Sequence, residues 1–474
     1  MTALWTAIEA AAATGGKALG PDWSANGVSI DSRTVAAGEL FVALAGPNHD
    51  GHDHVAAAFK AGATAALVHK IPDGVAANAP LLLVEDTLEG LKRLGAAARA
   101  RASAKIIAVT GSVGKTGTKE MLKLALCAEN ATHASVGSFN NHWGVPLSLA
   151  RMPRDSRFGV FELGMNHAGE IAPLSLLVRP DIAIVTTVEA VHLEFFASTS
   201  EIAEAKAEIF AGVAPGGTVV LPRDNPYFEL LCRRADEKGI ARIMSFGTHI
   251  DADARLLDHA VTSERTLVFA LVGDHPLSYS IGVPGRPWAI NSLAVLLAAR
   301  AAGVSIDSAA AALARMEPPK GRGARKILPW GAGHITLIDE SYNASPVSVR
   351  AALATLGSVE IPRNGRRIAV LGDMLELGEA GPALHRGLSD AVVAHGIDLV
   401  FTAGPLMQGL ADALDPALRG AHAANSALLA RLVGDALQSG DVVMVKGSAG
   451  SRMGLVVTHI NDLAAPMAPV ANGH

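Results

Sequence analysis

The stretch that most constrains the fold runs from residue 106 to 126. The apolar run Ile106-Ile107-Ala108-Val109 enters the glycine turn Thr110-Gly111-Ser112-Val113-Gly114-Lys115-Thr116, and the helical text TKEMLKLAL follows. A strand that is apolar on both sides must be covered on both faces, which a parallel sheet flanked by helices provides. In such a turn the glycines let backbone N–H groups approach phosphates, and the helix N-terminus adds its positive dipole end. Lys115 then reaches the β and γ phosphates, and Thr116 can ligate Mg²⁺. The chain is therefore expected to bind ATP. The spacing G-x-x-G-K-T is two residues shorter than the general phosphate-loop pattern, so this is a special form of that loop.

Strand and helix text alternates through most of the 474 residues, a length that suggests more than one domain at roughly 100–200 residues each. Residues 1–102 mix the short β-like runs ELFVAL, AALVHK and LLLVED with helical text, and read as a small α/β domain. Residues 103–316 read as a central parallel-sheet domain around the phosphate loop. The segment EPPKGRGARK, two prolines and two glycines among charges, reads as a linker. Within 317–474 the runs RRIAVLGDM, DLVFTAG and DVVMVKGSAG each end in a glycine turn, the pattern of a Rossmann-like domain, and AAPMAPVANGH closes the chain as an expected disordered tail. The fold class is thus α/β in three domains.

With 40 basic against 45 acidic residues and no long basic run, the chain carries −5 charges and offers no nucleic-acid surface. Cys127 and Cys232 stand far apart in helix-like text, which excludes a disulfide framework and fits a reducing compartment. Glu9 interrupts the apolar N-terminal text, and no run of about 18 uncharged apolar residues occurs, so the protein is expected to be cytoplasmic, without membrane insertion, and monomeric.

Further motifs follow the loop in order: DSRTVAAGELFVALAGPNHDGHDHVAAAFKAG at 31–62, SFNNHWGVPLSL at 138–149, FELGMNHAGEI at 161–171, IDESYNASP at 338–346 and LGDMLELG at 371–378. Together with the short loop they resemble the ATP-dependent Mur ligases, and within them the branch that adds a dipeptide. The resemblance implies a UDP-substrate domain at the N-terminus, a central ATPase domain and a C-terminal domain for the incoming dipeptide. It implies ATP and two Mg²⁺ ions as cofactors, and UDP-N-acetylmuramoyl-tripeptide and D-Ala-D-Ala as substrates joined through an acyl phosphate. Such chemistry rests on positioning and on neutralising phosphate charge.

Residue roles follow from the same resemblance. Glu162, after the run FGVF, should sit at a strand end and hold Mg²⁺ beside Thr116; His192, in VEAVHLEFF, should complete a metal shell. Lys206 lies amid Glu201, Glu204 and Glu208 and reads alone as a surface lysine, but the resemblance makes it a carbamylated ligand of a second Mg²⁺. Ser32 and Arg33 are expected at the UDP end of the substrate, with a capped turn as the alternative, and Asn140 and Asn141 at the sugar nucleotide. Arg322 is expected at the γ-phosphate, Asp339 or Glu340 near the ribose, and Asn291 at adenine. Trp288 stands where relatives carry an asparagine; its indole could stack on adenine or fill the core, and the core is the expected place. Asn343, Asp373, Lys446 and Ser448 are expected at the dipeptide, with Glu376 beside Asp373 to orient its ammonium group. Three rival readings remain: a ligase adding a single amino acid, a folate polyglutamate synthase, and a nucleotide switch that uses ATP only to change shape.

Overall fold

The computed structural model describes residues 3–46 and 49–465, so the expected tail lies outside the described residues from 466 onward. Three main sheets each draw their strands from one segment of chain. The first orders Lys17–Leu19, Leu81–Leu83, Ala65–Val68, Glu39–Val42 and Gly27–Ser29, with only Lys17–Leu19 antiparallel. The helix Thr87–Arg101 starts where Asp86 accepts the backbone N–H of Glu89 and satisfies an otherwise orphaned donor. Its Gly95 meets the helix Gly144–Ala150 so closely that a Cβ there would lie 2.9 Å from the Pro146 carbonyl oxygen. Leu91, Leu94 and Ala98 then share one core with Leu147 and Ala150, which locks the first segment onto the second.

The central sheet has nine strands. Thr132–Ala134, Phe158–Glu162, Lys105–Thr110, Ile182–Val185, Thr218–Pro222 and Arg242–Gly247 run parallel between two apolar layers, with the edge strand Thr132–Ala134 only half-buried. The chain leaves the Lys105–Thr110 strand towards Phe158–Glu162 on one side and later adds Ile182–Val185 on the other. The C-terminal ends of these three strands therefore border the crevice where open α/β sheets bind ligands.

A purely parallel central sheet is corrected by its far edge, where Ala254–Val261, Thr266–Val272 and His275–Ile281 form an antiparallel meander. Val272 pairs with His275 across only Gly273 and Asp274, and a connection that short can join only antiparallel strands. The third sheet orders Ala324–Trp330, Gly333–Glu340, Val442–Lys446, Arg367–Gly372, Leu399–Ala403 and Arg419–Ala423. Its last five strands are parallel, as a Rossmann-like unit requires, but the expected linker ends early: Ala324–Trp330 hairpins back on Gly333–Glu340 as an antiparallel edge.

Candidate active site

The phosphate loop has the geometry its sequence calls for. Gly111 has φ 143° and a Cβ there would fall 1.9 Å from Thr186 Oγ1; Gly114 has φ 88° and its Cβ would fall 2.6 Å from Asn291 Nδ2. Neither position admits a side chain. Asn291, on the helix Arg286–Ala302, thus touches the loop itself. Trp288, one turn earlier, lies half-buried on Gly117 of the loop-bearing helix Lys115–Cys127 and packs on the central core, as expected. Thr186 Oγ1 donates to the Val113 carbonyl at 2.6 Å and pins the loop to the next strand end.

Thr116 and Glu162 meet here. Glu162 ends its strand 1% exposed, and Thr116 Oγ1 donates to its Oε2 at 2.8 Å. Two oxygens in one Mg²⁺ shell lie about 2.9 Å apart when each is roughly 2.0–2.1 Å from the ion, so this pair fits the proposed ion without rearrangement. The other Glu162 oxygen accepts Asn140 Nδ2 at 2.7 Å. Asn140 thus turns its amide N–H towards the carboxylate in this structure. Asn141 likewise accepts the Gly144 N–H at 2.9 Å and shapes the entry to the helix Gly144–Ala150.

Opposite this carboxylate stands a concentration of nitrogen bases. Lys115 donates to the Gly111 carbonyl at 2.6 Å; burial lowers its pKa, against the pull of Glu162, and Arg322 lowers it further. Lys206, on the helix Thr199–Ala207, is 1% exposed, not the surface lysine its acidic neighbours suggest. Burial drives its pKa well down and Lys115 adds to this, while Glu208 and Glu170 oppose it. Burial also lowers His192, against Glu376 and reinforced by Lys206 and Lys115. Lys115 thus disfavours the protonated forms of Lys206 and His192, and Lys206 that of His192, so an anion arriving among these bases would be stabilised. Glu208 does not neutralise them fully, because it accepts the N–H groups of Gly169, Ile171 and Ala172 at the start of the helix Ile171–Val178.

The third segment reaches into this site. Glu376 Oε2 lies 2.5 Å from His192 Nδ1, Tyr342 Oη contacts Ser138 Oγ, and the Arg322 guanidinium stacks 4.2 Å over the Tyr342 ring. Arg322 thus lies near Lys115, where a γ-phosphate would sit. Asp373 and Glu376 part company: Asp373 is 5% exposed and accepts the Met407 N–H at 2.8 Å, a brace between two loops.

Lys446, 3% exposed, pairs with Glu340 at 3.2 Å and donates to the Asn343 carbonyl at 2.9 Å. Glu340 therefore faces Lys446, while Asp339 accepts the Ser341 N–H at 3.0 Å and its hydroxyl at 2.6 Å. Asn343 Oδ1 accepts the Ala344 N–H at 2.9 Å. Ser448 accepts the Leu375 N–H and donates to the Ala344 carbonyl. These groups gather at one end of the third sheet, each already partnered.

In the first segment Arg33 folds back on Asp31, with Nε and Nη2 at 2.9 and 2.7 Å, and its N–H closes a turn on Asp31 Oδ1. The capped-turn alternative describes Arg33, and Ser32 sits within that turn. Sequence reasoning missed Lys119, 0% exposed, whose Nζ donates to the Ser135 and Gly137 carbonyls at 2.7 and 2.9 Å. It anchors the segment that delivers Asn140. Its position one turn after Lys115 on the same helix was the available signal.

Residues 24–99 match the family model described as "Mur ligase family, catalytic domain", residues 109–299 "Mur ligase middle domain", and residues 329–449 "Mur ligase, glutamate ligase domain". The UDP-N-acetylmuramoyl-tripeptide--D-alanyl-D-alanine ligase of Rickettsia prowazekii is 34% identical over 434 residues, 92% of this chain and 95% of that protein. The enzyme of the same name from Escherichia coli is 34% identical over 451 residues, 94% and 96% of the two chains. Among solved structures, MurF from Acinetobacter baumannii superposes with TM-score 0.82 at 27% identity, over 97% of this chain and 99% of that one. MurF ligase from Thermotoga maritima in complex with ADP gives TM-score 0.75 at 26% identity, over 93% and 98%. With three domain models in chain order and relatives alike from end to end, the chain belongs to the Mur ligase family.

Proposed function

We propose that the chain joins D-alanyl-D-alanine to UDP-N-acetylmuramoyl-tripeptide at the expense of ATP, forming the UDP-muramoyl-pentapeptide precursor of peptidoglycan. The observation that carries this reading is end-to-end similarity to ligases of that name, joined to a phosphate loop facing Glu162 and a basic pocket. A carboxylate oxygen is a poor leaving group, so the tripeptide carboxylate first attacks the γ-phosphorus and ADP departs. The dipeptide amine then attacks the acyl carbon, and phosphate leaves with the original carboxylate oxygen while the amine loses its proton.

Thr116 and Glu162 would hold one Mg²⁺, and His192 with a carbamylated Lys206 the second. When bound, the ions withdraw charge from the transferring phosphoryl group. This chain's own residues do the rest: Lys115 and Arg322 face phosphate oxygens, Asn140 orients Glu162, and the third segment presents the acceptor. Carbamate formation needs a neutral amine, which the buried Lys206 supplies by its lowered pKa. In this reading the chain works as a cytoplasmic monomer of three domains, 1–102 for the UDP end, 103–316 for ATP and 317–474 for the dipeptide, and its product serves cell-wall growth and division.

The test is ATP-dependent phosphate release with each UDP-muramoyl peptide in turn, offered single amino acids or D-Ala-D-Ala. Turnover with the tripeptide and the dipeptide alone supports the assignment. Ligation of diaminopimelate to the UDP-dipeptide, with no product from D-Ala-D-Ala, moves the chain to a neighbouring branch.

A further inference from the structure

Four described residues other than glycine have positive φ: Arg179, His192, Glu376 and Arg452. Two of them are bonded to each other. His192, φ 56°, and Glu376, φ 63°, lie in loops that follow strands of different sheets and stand 184 residues apart in sequence, yet their side chains meet at 2.5 Å. A left-handed backbone costs a side-chain-bearing residue on the order of 1 kcal/mol or more, and such strain gathers at sites that use it.

The surrounding backbone makes the meeting specific. Glu194 donates its N–H to the Glu376 carbonyl at 3.2 Å. Gly378, φ 54°, lets the two loops close up, since a Cβ there would stand 3.3 Å from Glu194 Cα. Contact between 192–194 and 376–378 is thus a fitted joint between the central and third sheets.

The joint acts on a particular ring atom. A carboxylate accepting at Nδ1 makes that nitrogen the donor, so the Nε2 lone pair is the one left to ligate. Histidines that bind metals are oriented in this manner, and losing the carboxylate partner costs roughly 10–100-fold in metal affinity. We propose that Glu376 is a positioning residue supplied by the third domain, which fixes the tautomer and plane of His192 so that a divalent cation is held fully only when the two loops are joined. Metal binding and acceptor-domain docking then become one event, and ATP is not committed before the acceptor side is in place. The proposal rests on the metal role given above to His192.

The experiment uses the full chain with Mn²⁺ as the probe, monitored by electron paramagnetic resonance with a non-hydrolysable ATP analogue and UDP-tripeptide bound. Native protein should hold two Mn²⁺ ions. Glu376→Ala should weaken one of them tenfold or more and leave the other unchanged, while Glu376→Gln, which can still accept from Nδ1, should recover most of that loss. Turnover should fall in parallel, with KM for D-Ala-D-Ala unchanged. Native Mn²⁺ affinity in Glu376→Ala with a raised KM for D-Ala-D-Ala overturns the proposal and gives the carboxylate to the incoming amine. His192→Ala separates the two levels: if it too retains both ions at native affinity, the metal role of His192 fails; if it loses one while Glu376→Ala does not, only the positioning role fails.

Discussion

Replacing Asn140 with alanine tests whether this amide serves the metal carboxylate or the sugar nucleotide. The substitution deletes the 2.7 Å bond to Glu162 Oε1 but keeps the backbone, whose Asn140 carbonyl still accepts the Gly164 N–H at 2.8 Å, so the fold should survive. Glu162 is 1% exposed, and water cannot readily replace the lost donor. A hydrogen bond to a charged group in such a place is worth about 1.5–3 kcal/mol, which converts to roughly a 10- to 150-fold loss. That loss should appear in kcat and as a higher Mg²⁺ concentration for half-maximal rate, measured by phosphate release across a Mg²⁺ titration. KM for the UDP substrate should not move. An unchanged Mg²⁺ requirement with a KM raised tenfold would instead assign Asn140 to the sugar.

Lys115→Ala should abolish turnover, lowering kcat and kcat/KM together, while calorimetry still detects the UDP substrate, because the proposed function gives the UDP end to another segment. Lys206→Ala should be nearly inactive and partly restored by formate or acetate, since a small anion can stand where the carbamate would be; normal activity with an unmodified amine by mass spectrometry would exclude the carbamate. His133, half-buried with Nε2 2.7 Å from the Ser148 carbonyl, has its pKa lowered to about 4, mainly by desolvation, so it stays neutral in the fold while the unfolded chain protonates near 6.5. Its contribution to stability is complete above about pH 6.5 and is lost as pH falls towards 4, by up to about 1.4 kcal/mol per pH unit. Denaturant melts of His133→Gln should show a shallower loss over that window, and an unchanged slope would contradict the assignment.

What the sequence made legible is local. The phosphate loop, its helix and the strand-end place of Glu162 depend on glycine conformation and on short apolar runs, and they stand where the pattern put them. The central meander was missed because a phosphate loop at one end of a sheet says nothing of its far edge, although Gly273-Asp274 marks the hairpin. Side-chain pairing was the harder matter. Arg33 was equally compatible with a diphosphate and with its own Asp31, and only the fold shows the exposed ion pair that it makes with Asp31. Asp373 and Glu376 sit three residues apart on one loop, yet one is buried against the Met407 N–H and the other spans to His192. No periodicity in sequence encodes a contact between sheets, nor the burial of Lys206 amid glutamates.

In the proposed reaction ATP makes an acyl phosphate of the UDP-tripeptide, which D-Ala-D-Ala then captures. The most direct test of this reaction is a single incubation of the native enzyme with UDP-tripeptide carrying ¹⁸O in its terminal carboxylate, ATP, Mg²⁺ and D-Ala-D-Ala, followed by mass spectrometry of the released phosphate and of the UDP product. The mechanism predicts one ¹⁸O in each phosphate and one phosphate per pentapeptide formed. Unlabelled phosphate, or phosphate released with no pentapeptide, would contradict it and leave a nucleotide hydrolase in place of a ligase.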